Sequence, residues 1–326
     1  MLVNDFILQP DKYLPPAYKI SPFRTEDVAR NRALPYSNEA DDYFRGRFQG
    51  QHFVYCENGR QAIRLALQQL GLRHQDMVTI LTTTGNRYIS GCVTSQIEQF
   101  CQWSRTTEKN TKALFVNHEF GFPYEELHQL QSFGLPIIED AAHSFASNNT
   151  KGNVSQIGDF TVYSFPKFFP IQAGGLLVFR DKYKIQEPVD PPLKQYIQKV
   201  VSHHLQHIDI TSRKRRANHD YLTASFATLG FSSRFQVTHR SVPGVFMFKT
   251  DPSVDLDALK KHMWGNGVEC SVFYGEQAFY IPVNDRLECF DLDYFFEAVK
   301  AFVNRANPSS NPSSPPPCIM SGGLNP

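Results

Sequence analysis

Short apolar runs alternate with amphipathic stretches from about residue 50 to residue 181. QHFVYCENG (51–59) has the pattern of a strand that ends at a turn. In the next stretch, GRQAIRLALQQLGL, the apolar residues recur at helical spacing. Further apolar runs of strand length follow at 77–83, 112–118, 136–140, 161–165 and 174–181. Strands that alternate with helices in this way predict a mainly parallel sheet with crossover helices, which is an α/β fold.

The pattern changes after residue 181. Residues 182–240 have helical spacing with charges throughout, and the chain then alternates between two more strands and two more helices. VPGVFMFKT (242–250) and VECSVFY (268–274) have the pattern of strands, whereas 255–267 and 291–305 have that of amphipathic helices. These elements predict a smaller α+β domain that follows the large one.

We therefore predict four segments. Residues 1–45, rich in Pro, Asp and Arg with weak periodicity, form an N-terminal arm, and residues 46–181 form the large domain. Residues 182–306 form a helical linker and the small α+β domain. Residues 307–326 are rich in Pro and Ser without an apolar pattern, so we predict a disordered tail.

Charge argues against a surface that binds polyanions. The chain has 33 Lys and Arg residues against 32 Asp and Glu residues. The basic cluster SRKRRANHDY (212–221) is the exception. Its helical spacing favours the solvated face of a surface helix, and we expect no nucleic-acid partner.

The cysteines and the apolar runs point to the cytoplasm. The six cysteines have no CxxC spacing and no nearby histidine pattern, so we predict free thiols in a reducing compartment and no metal site. The first residues lack a basic and an apolar signal region, and no segment has 18 uninterrupted apolar residues. We expect a cytoplasmic protein without a membrane partner.

Lys167 and Asp140 are the residues with the clearest chemical role. Lys167 follows the β-branched and aromatic run TVYSF, and Asp140 ends the apolar run IIED. Each residue thus lies at the carboxyl end of a predicted strand. A lysine that bonds to the aldehyde and a carboxylate against the ring nitrogen are how enzymes hold pyridoxal phosphate. A surface lysine after a core strand is the alternative interpretation of Lys167 alone.

A second candidate site is the junction Asn58-Gly59-Arg60, where a predicted strand meets a predicted helix. The unpaired backbone N–H groups of a helix's first turn bind anions, and Gly59 allows the backbone to approach a phosphate. An ordinary Asn-Gly turn at a helix start is the alternative. Tyr88, which follows the next strand, could stack on a flat ring or be a half-buried loop residue.

Taken in order, these motifs resemble the DegT/StrS family of pyridoxal-phosphate sugar aminotransferases. The junction at Gly59 resembles the family's Ser-Gly-Thr turn, and Glu-Asp-Ala-Ala-His (139–143) matches its aspartate motif. Ser-Phe-Pro-Lys (164–167) followed by Ala-Gly-Gly (173–175) resembles its lysine motif, and VPGVFMF and NGVECSVFY resemble its second domain. The resemblance covers about residues 50–305. It implies the type I aminotransferase fold of pyridoxal-phosphate-dependent transferases, which includes aspartate aminotransferase.

The resemblance implies a role for each matching residue. Lys167 would hold the cofactor's aldehyde and then act as a proton shuttle, and Asp140 would keep the pyridine nitrogen protonated. His143 would lie near the ring's phenolic oxygen. Ser164 would bind the phosphate together with the backbone N–H groups of Gly59 and Arg60.

The chain departs from the family pattern at four places. In many members the step from the serine to the lysine is five residues, whereas here it is three, as in a short Ser-x-x-Lys subgroup. Arg60 stands where a small hydroxyl residue is usual, although its guanidinium could replace that hydrogen bond. The family's stacking aromatic aligns near residues 85–86, which are Gly and Asn, and Tyr88 is our substitute. The segment 274–281 is shorter than usual.

The implied activity is transfer of an amino group from an amino-acid donor such as glutamate to a keto-sugar. The sugar would be nucleotide-linked, in bacterial polysaccharide or secondary-metabolite biosynthesis, and the enzyme would be a homodimer. One alternative is another reaction with the same cofactor, such as elimination, dehydration or racemisation. Lys167 argues against the family's dehydratases, which have histidine there. The other alternative is a family member without catalysis that acts as a binding or scaffold protein.

Overall fold

The structure, a computed structural model, describes residues 2–3, 6–7 and 16–306, with side chains for 16–304. The predicted tail 307–326 lies outside the described residues. The described chain forms two compact units. The first contains residues 21–209 and 239–242, and the second contains residues 16–20, 210–238 and 243–306.

The first unit contains nine strands and five helices among the described residues. Its strands are β1 (Leu2–Val3), β2 (Phe6–Ile7), β3 (Gln51–Cys56), β4 (Met77–Thr82), β5 (Gln102–Ser104), β6 (Thr111–Asn117), β7 (Ile137–Asp140), β8 (Phe160–Ser164) and β9 (Gly175–Arg180). Its helices are α1 (Asp27–Ala33), α2 (Glu39–Arg47), α3 (Gly59–Gln68), α4 (Gly91–Ile97) and α5 (Pro191–Leu205), with 3₁₀ turns at Leu127–Phe133 and Phe165–Lys167.

A seven-stranded sheet organises this unit, in the order β3-β9-β8-β7-β6-β4-β5. The strands β5, β4, β6, β7 and β8 run parallel, and β9 is antiparallel to both β8 and β3. Most positions of β7 to β9 are buried, as expected for strands covered on both faces. The carboxyl ends of the parallel strands therefore meet at one edge, which is where ligands bind in such sheets.

The segment predicted as an arm contains two helices instead of extended chain. Phe44 in α2 is fully buried and its ring stacks on Phe165 at 6.1 Å between centroids. In α1, Nδ2 of Asn31 donates to the carbonyl oxygen of Pro170 at 2.8 Å. These contacts join residues more than 100 positions apart in the sequence, so local periodicity cannot predict them. The helix α5, which follows the predicted boundary at 181, also belongs to the first unit.

The second unit has its own sheet and its own hydrophobic core. The sheet order is β10-β11-β13-β12, and all pairs are antiparallel. Its core contains Phe226, Phe248, Met263 and Phe296 among many apolar side chains. The elements are β10 (Ser232–Ser233), β11 (Val245–Lys249), β12 (Ser271–Val272), β13 (Ala278–Pro282), α6 (Ile208–Ala227, most of which lies in this unit), α7 (Leu256–Gly265) and α8 (Cys289–Ala306).

The basic cluster 212–221 lies on helix α6, but one of its basic residues is buried instead of exposed to solvent. Arg215 is 1% exposed, and its Nε donates to Oδ1 of Asp285 at 3.2 Å. Arg213 is exposed, as predicted. The prediction is therefore wrong for Arg215, because a long-range carboxylate partner allows its guanidinium to be buried.

Four cysteines of the described residues are free thiols: Cys56, Cys92, Cys101 and Cys270. Cys289 is disulfide-bonded, so the prediction of free thiols is wrong for that residue. Among the described residues, no helix is long and apolar enough to cross a membrane. The same residues contain no group of three or more His, Cys, Asp or Glu side chains that could hold a metal ion.

Candidate active site

Asp140 is the last residue of β7 and lies at the carboxyl edge of the large sheet. Its carboxylate is 4% exposed and accepts hydrogen bonds from the backbone N–H of Ala142 (3.0 Å) and from Nδ2 of Asn117 (2.9 Å). Burial raises the pKa of Asp140 above its usual value, whereas these two donors and the charge of Lys167 act in the opposite direction. The site thus holds a buried carboxylate whose two oxygens are fixed in position.

The neighbouring carboxylate, Glu139, points to the other face of the sheet, because successive strand residues alternate. Its Oε1 accepts from the backbone N–H of Gly158 at 2.6 Å and its Oε2 from that of Ser155 at 2.9 Å. Oε2 also contacts Nε2 of His118 at 3.1 Å, and both side chains are fully buried. Glu139 therefore holds the loop that enters β8, and only Asp140 faces the carboxyl edge.

Lys167 follows the strand next to that of Asp140, as predicted. β7 and β8 are parallel neighbours, with Asp140 paired to Val162. The chain leaves β8 at Ser164, and Lys167 ends the 3₁₀ turn that follows. Lys167 is half-buried and close enough for its charge to lower the pKa of Asp140. The structure therefore brings the two chemically important residues of the sequence to one place.

The Gly-Gly pair that follows Lys167 joins the start of α3 to the end of β8. Gly175 lies between Cys56 of β3 and Ser164 of β8 in the sheet. A Cβ atom on Gly175 would lie 2.8 Å from the carbonyl oxygen of Tyr163 and 2.9 Å from the carbonyl carbon of Asn58. No side chain fits here, so glycine permits this close approach of three backbone segments.

The N-terminus of α3 faces Ser164. A Cβ atom on Gly59 would lie 3.3 Å from Cβ of Ser164 and 3.7 Å from its hydroxyl oxygen. Asn58 caps the helix by accepting from the backbone N–H of Gln61 at 3.0 Å. The backbone N–H groups of Gly59 and Arg60 precede this cap partner and have no intrahelical acceptor. The side chain of Arg60 is exposed.

His143 and Tyr88 are linked by an aromatic ring that the sequence did not single out. Phe120, which follows β6, lies 5.3 Å from the ring of His143 and 6.4 Å from that of Tyr88, the latter nearly parallel at 27°. Its backbone has φ +52°, a conformation that bulky residues rarely adopt. The ring of Phe120 therefore contacts the rings of both His143 and Tyr88.

Asn117 and Phe120 are the site residues that sequence reasoning missed. Asn117 is the register partner of Asp140 and fixes one of its oxygens. The sequence does indicate Asn117, because it is a polar residue directly after the apolar run 112–116. No local signal identifies Phe120, because its role depends on which rings surround it in space.

One family of known proteins matches part of this chain. Residues 102–187 match the DegT/DnrJ/EryC1/StrS aminotransferase family, which confirms the predicted resemblance for that part of the chain. The matching segment contains Asp140, His143, Ser164 and Lys167, whereas Gly59, Arg60 and Tyr88 precede it.

Two curated relatives match with low identity. The GDP-perosamine synthase of Escherichia coli O157:H7 is 28% identical over 171 residues, which are 45% of this chain and 45% of that protein. The dTDP-4-amino-4,6-dideoxy-D-glucose transaminase of Shigella dysenteriae is 25% identical over 205 residues, 57% of this chain and 55% of that protein. The chain thus spans about half the length of these relatives.

The fold is shared over most of the chain. The aminotransferase TlmJ from Streptoalloteichus hindustanus superposes with a TM-score of 0.68 at 16% identity, covering 86% of this chain and 94% of that one. The predicted fold, a type I aminotransferase fold with a large, mainly parallel sheet, is confirmed.

Proposed function

We propose, from the family match of residues 102–187 and the geometry of the site, that this chain is a pyridoxal-phosphate-dependent aminotransferase. The observation that carries the proposal is the placement of Lys167 beside the buried carboxylate of Asp140 at the carboxyl ends of neighbouring parallel strands. This is the edge where sheets of this kind bind their ligands.

The residues around α3 fit the phosphate of the cofactor. Gly175 leaves no room for a side chain, and a Cβ atom on Gly59 would be in tight contact with Ser164, so the backbone lies close to Ser164. The N–H groups of Gly59 and Arg60 and the hydroxyl of Ser164 would bind phosphate oxygens, and the partial positive charge of the helix N-terminus favours the anion. The guanidinium of Arg60, which is exposed, could add a further contact.

The residues around Asp140 fit the ring. The carboxylate would hold a proton on the pyridine nitrogen, and that positive charge would in turn favour the ionised form of the buried acid. His143 would lie near the phenolic oxygen. Phe120, which contacts His143, is a better candidate than Tyr88 for the aromatic beside the ring, and Tyr88 would support Phe120.

Bound pyridoxal phosphate supplies an electron sink for the negative charge that develops at the substrate Cα. Lys167 would hold the aldehyde through Nζ and would take the proton from the substrate Cα when an amine replaces it. For this task Nζ must be neutral, and the nearby positive charge of the protonated ring favours that state. Asp140, fixed by Asn117 and Ala142, would keep the ring proton in place.

We propose a nucleotide-linked keto-sugar as the amino acceptor and an amino acid, glutamate, as the donor. The acceptor is supported by the two relatives, whose names are those of a GDP-sugar and a dTDP-sugar enzyme. The donor rests on the family resemblance. The cytoplasmic location stays a prediction from the cysteines and the missing signal region, and the place in polysaccharide or secondary-metabolite biosynthesis stays a prediction of that resemblance. The homodimer does too, and a mass in solution of twice 37.2 kDa checks it.

The test is the absorption spectrum of the purified protein with added pyridoxal phosphate. We expect a visible band that borohydride traps as a modified peptide containing Lys167. Lys167→Ala should lose the band and keep the fold, as judged by circular dichroism. Lys184→Ala, at a lysine whose side chain is 83% exposed, is the control and should keep the band. Addition of glutamate should change the band if the chain is a transaminase.

A wild-type protein without the band would overturn the cofactor assignment and would favour the scaffold alternative. A band trapped on another lysine would remove Lys167 from the mechanism. A band that glutamate and other amino-acid donors leave unchanged would favour another reaction of the same cofactor.

A further inference from the structure

Arg105 follows the edge strand β5 and belongs to no motif that the proposed mechanism uses. Its Nη2 donates to Oγ1 of Thr82 at 3.2 Å and to the carbonyl oxygen of Asn86 at 2.5 Å. Its other nitrogens, Nε and Nη1, are buried, and no atom of the described residues accepts a hydrogen bond from either. Buried donors without acceptors are costly, so they are rare in native structures and require an explanation.

Thr82, which accepts a hydrogen bond from Arg105, is aligned with Asp140 across two strand pairs of the sheet. Thr82 of β4 is paired with Asn117 of β6, and Asn117 is paired with Asp140 of β7. Paired residues of parallel neighbours project from the same face, and strands lie about 4.8 Å apart, so Thr82 lies about 10 Å from Asp140 along the sheet. Arg105 therefore reaches the face of the sheet on which Asp140 lies, at a distance that suits a distant group of a substrate.

One carboxylate, that of Glu119, acts on the charge of Arg105, and its Oε1 is buried like the two nitrogens. Burial lowers the pKa of Arg105 and the charge of Arg87 lowers it further, whereas the charge of Glu119 raises it. Oε2 of Glu119 already accepts from the backbone N–H of Thr84 at 2.8 Å. An anion that accepted from Nε or Nη1 would satisfy these donors and balance the charge, and carboxylate and phosphate oxygens are the acceptors that a guanidinium prefers.

We propose that Arg105 binds an oxyanion of a substrate of this site, an inference that rests on the proposed function. The carboxylate of the amino donor and the phosphate of a nucleotide-linked sugar share this chemistry. Arg105 thus adds a specificity-determining residue at the β4–β5 end of the sheet, away from Lys167 and from the start of α3.

The experiment compares the 326-residue protein, loaded with pyridoxal phosphate, with its Arg105→Met, Arg105→Lys and Thr82→Val variants. Calorimetry measures the affinity of two probes, 2-oxoglutarate and dTDP. Arg105→Met should weaken one probe about 10-fold to 100-fold, the range for a hydrogen bond to a charged group, and Arg105→Lys should weaken it less. Loss of 2-oxoglutarate affinity identifies a donor carboxylate, and loss of dTDP affinity identifies a sugar-nucleotide phosphate.

Thr82→Val tests the positioning of Arg105. It removes the hydroxyl that holds Nη2 and bonds to Asn86 at 2.8 Å, but it keeps the guanidinium, so it should weaken the same probe less than Arg105→Met does. The change in melting temperature of Thr82→Val shows how much of any loss of affinity in Arg105→Met comes from disturbing the segment 82–86.

Unchanged affinity for both probes in Arg105→Met overturns the inference. So does an equal fall in melting temperature for Arg105→Met and Glu119→Gln with both affinities kept, because Arg105 then only balances Glu119. A wild-type protein that binds neither probe also overturns it. The cofactor band on Lys167, measured in the same samples, shows separately whether the proposed function stands.

Discussion

At the scale of single residues, the carboxylate of Asp140 lies where its charged form is disfavoured. The side chain is almost fully buried, and burial raises its pKa, so the charged form is disfavoured by its surroundings. Asn117 and the backbone of Ala142 offset part of this cost with two hydrogen bonds. The structure maintains a charge that the cofactor-free protein would fold more easily without.

Asp140→Asn should therefore stabilise the cofactor-free protein. Folding raises the pKa of Asp140, so the unfolded chain releases this proton at a lower pH than the folded protein does. The contribution of the carboxyl group to stability therefore falls as the pH rises through the pKa of the folded state. The variant lacks this titration. We expect it to melt a few degrees higher than the wild type near pH 8, with a smaller difference near pH 4, in differential scanning calorimetry.

The same variant should bind pyridoxal phosphate and lose most of its turnover, because the ring nitrogen loses its carboxylate partner. Asp181→Asn is the control. Asp181 is exposed and its pKa is lowered by a hydrogen bond from His52, so its removal should give no gain in melting temperature. A melting temperature of Asp140→Asn at or below that of the wild type near pH 8 would contradict the prediction.

At the scale of elements, the phosphate site depends on how closely β3, β8 and the start of α3 approach each other. Two backbone hydrogen bonds keep these segments close together. The N–H of Gly174 donates to the carbonyl oxygen of Glu57 at 2.6 Å, and the N–H of Phe165 donates to the carbonyl oxygen of Gly174 at 3.1 Å. Gly174 has φ +117°, which only glycine adopts without strain. The glycines are needed for the backbone geometry, whatever ligand the site holds.

Gly175→Ala should destabilise the protein by about 1–3 kcal/mol and weaken cofactor binding, because its Cβ would meet backbone atoms that cannot move separately. Gly46→Ala, within α2, is the matched control. Nothing lies within 4 Å of its added Cβ, and alanine in a helix is favoured over glycine by about 0.5–1 kcal/mol. Urea unfolding should thus give changes of opposite sign, and a stabilising Gly175→Ala would refute the account of the turn.

At the scale of the whole molecule, each of the two units has its own core. The second unit buries a charge as well as apolar side chains, since Arg215 is paired with Asp285, itself mostly buried. Burial lowers the pKa of Arg215 and the charge of Asp285 opposes this. Such a pair is costly to break by removing one partner.

Arg215→Met should lower the free energy of unfolding by about 2 kcal/mol, because it leaves Asp285 without its guanidinium. Arg213→Met, two positions away on the exposed face of α6, should change it by less than about 0.5 kcal/mol. Chemical denaturation of both variants measures the difference. Equal effects would mean that the whole basic cluster is solvated, as the sequence pattern indicated.

The sequence by itself determined the features that depend on near neighbours in the chain. Strands β4, β6, β7, β8 and β9 lie close to the apolar runs, because side-chain alternation and burial are local patterns. Lys167 and Asp140 could be placed at strand ends for the same reason. The Gly-Gly pair marked a close backbone approach, since glycine is the residue that permits one.

Only the tertiary structure decided which distant residues serve these motifs. Helices α1 and α2, predicted as an extended arm, form because Phe44 and Asn31 find partners more than 100 residues away. Phe120 beside His143 and Arg105 beside Thr82 likewise depend on strand order. The burial of Arg215 depends on a carboxylate 70 residues further along the chain. Periodicity reports which face of an element is apolar, but contacts between elements are set by how they pack, and that packing brings this site together.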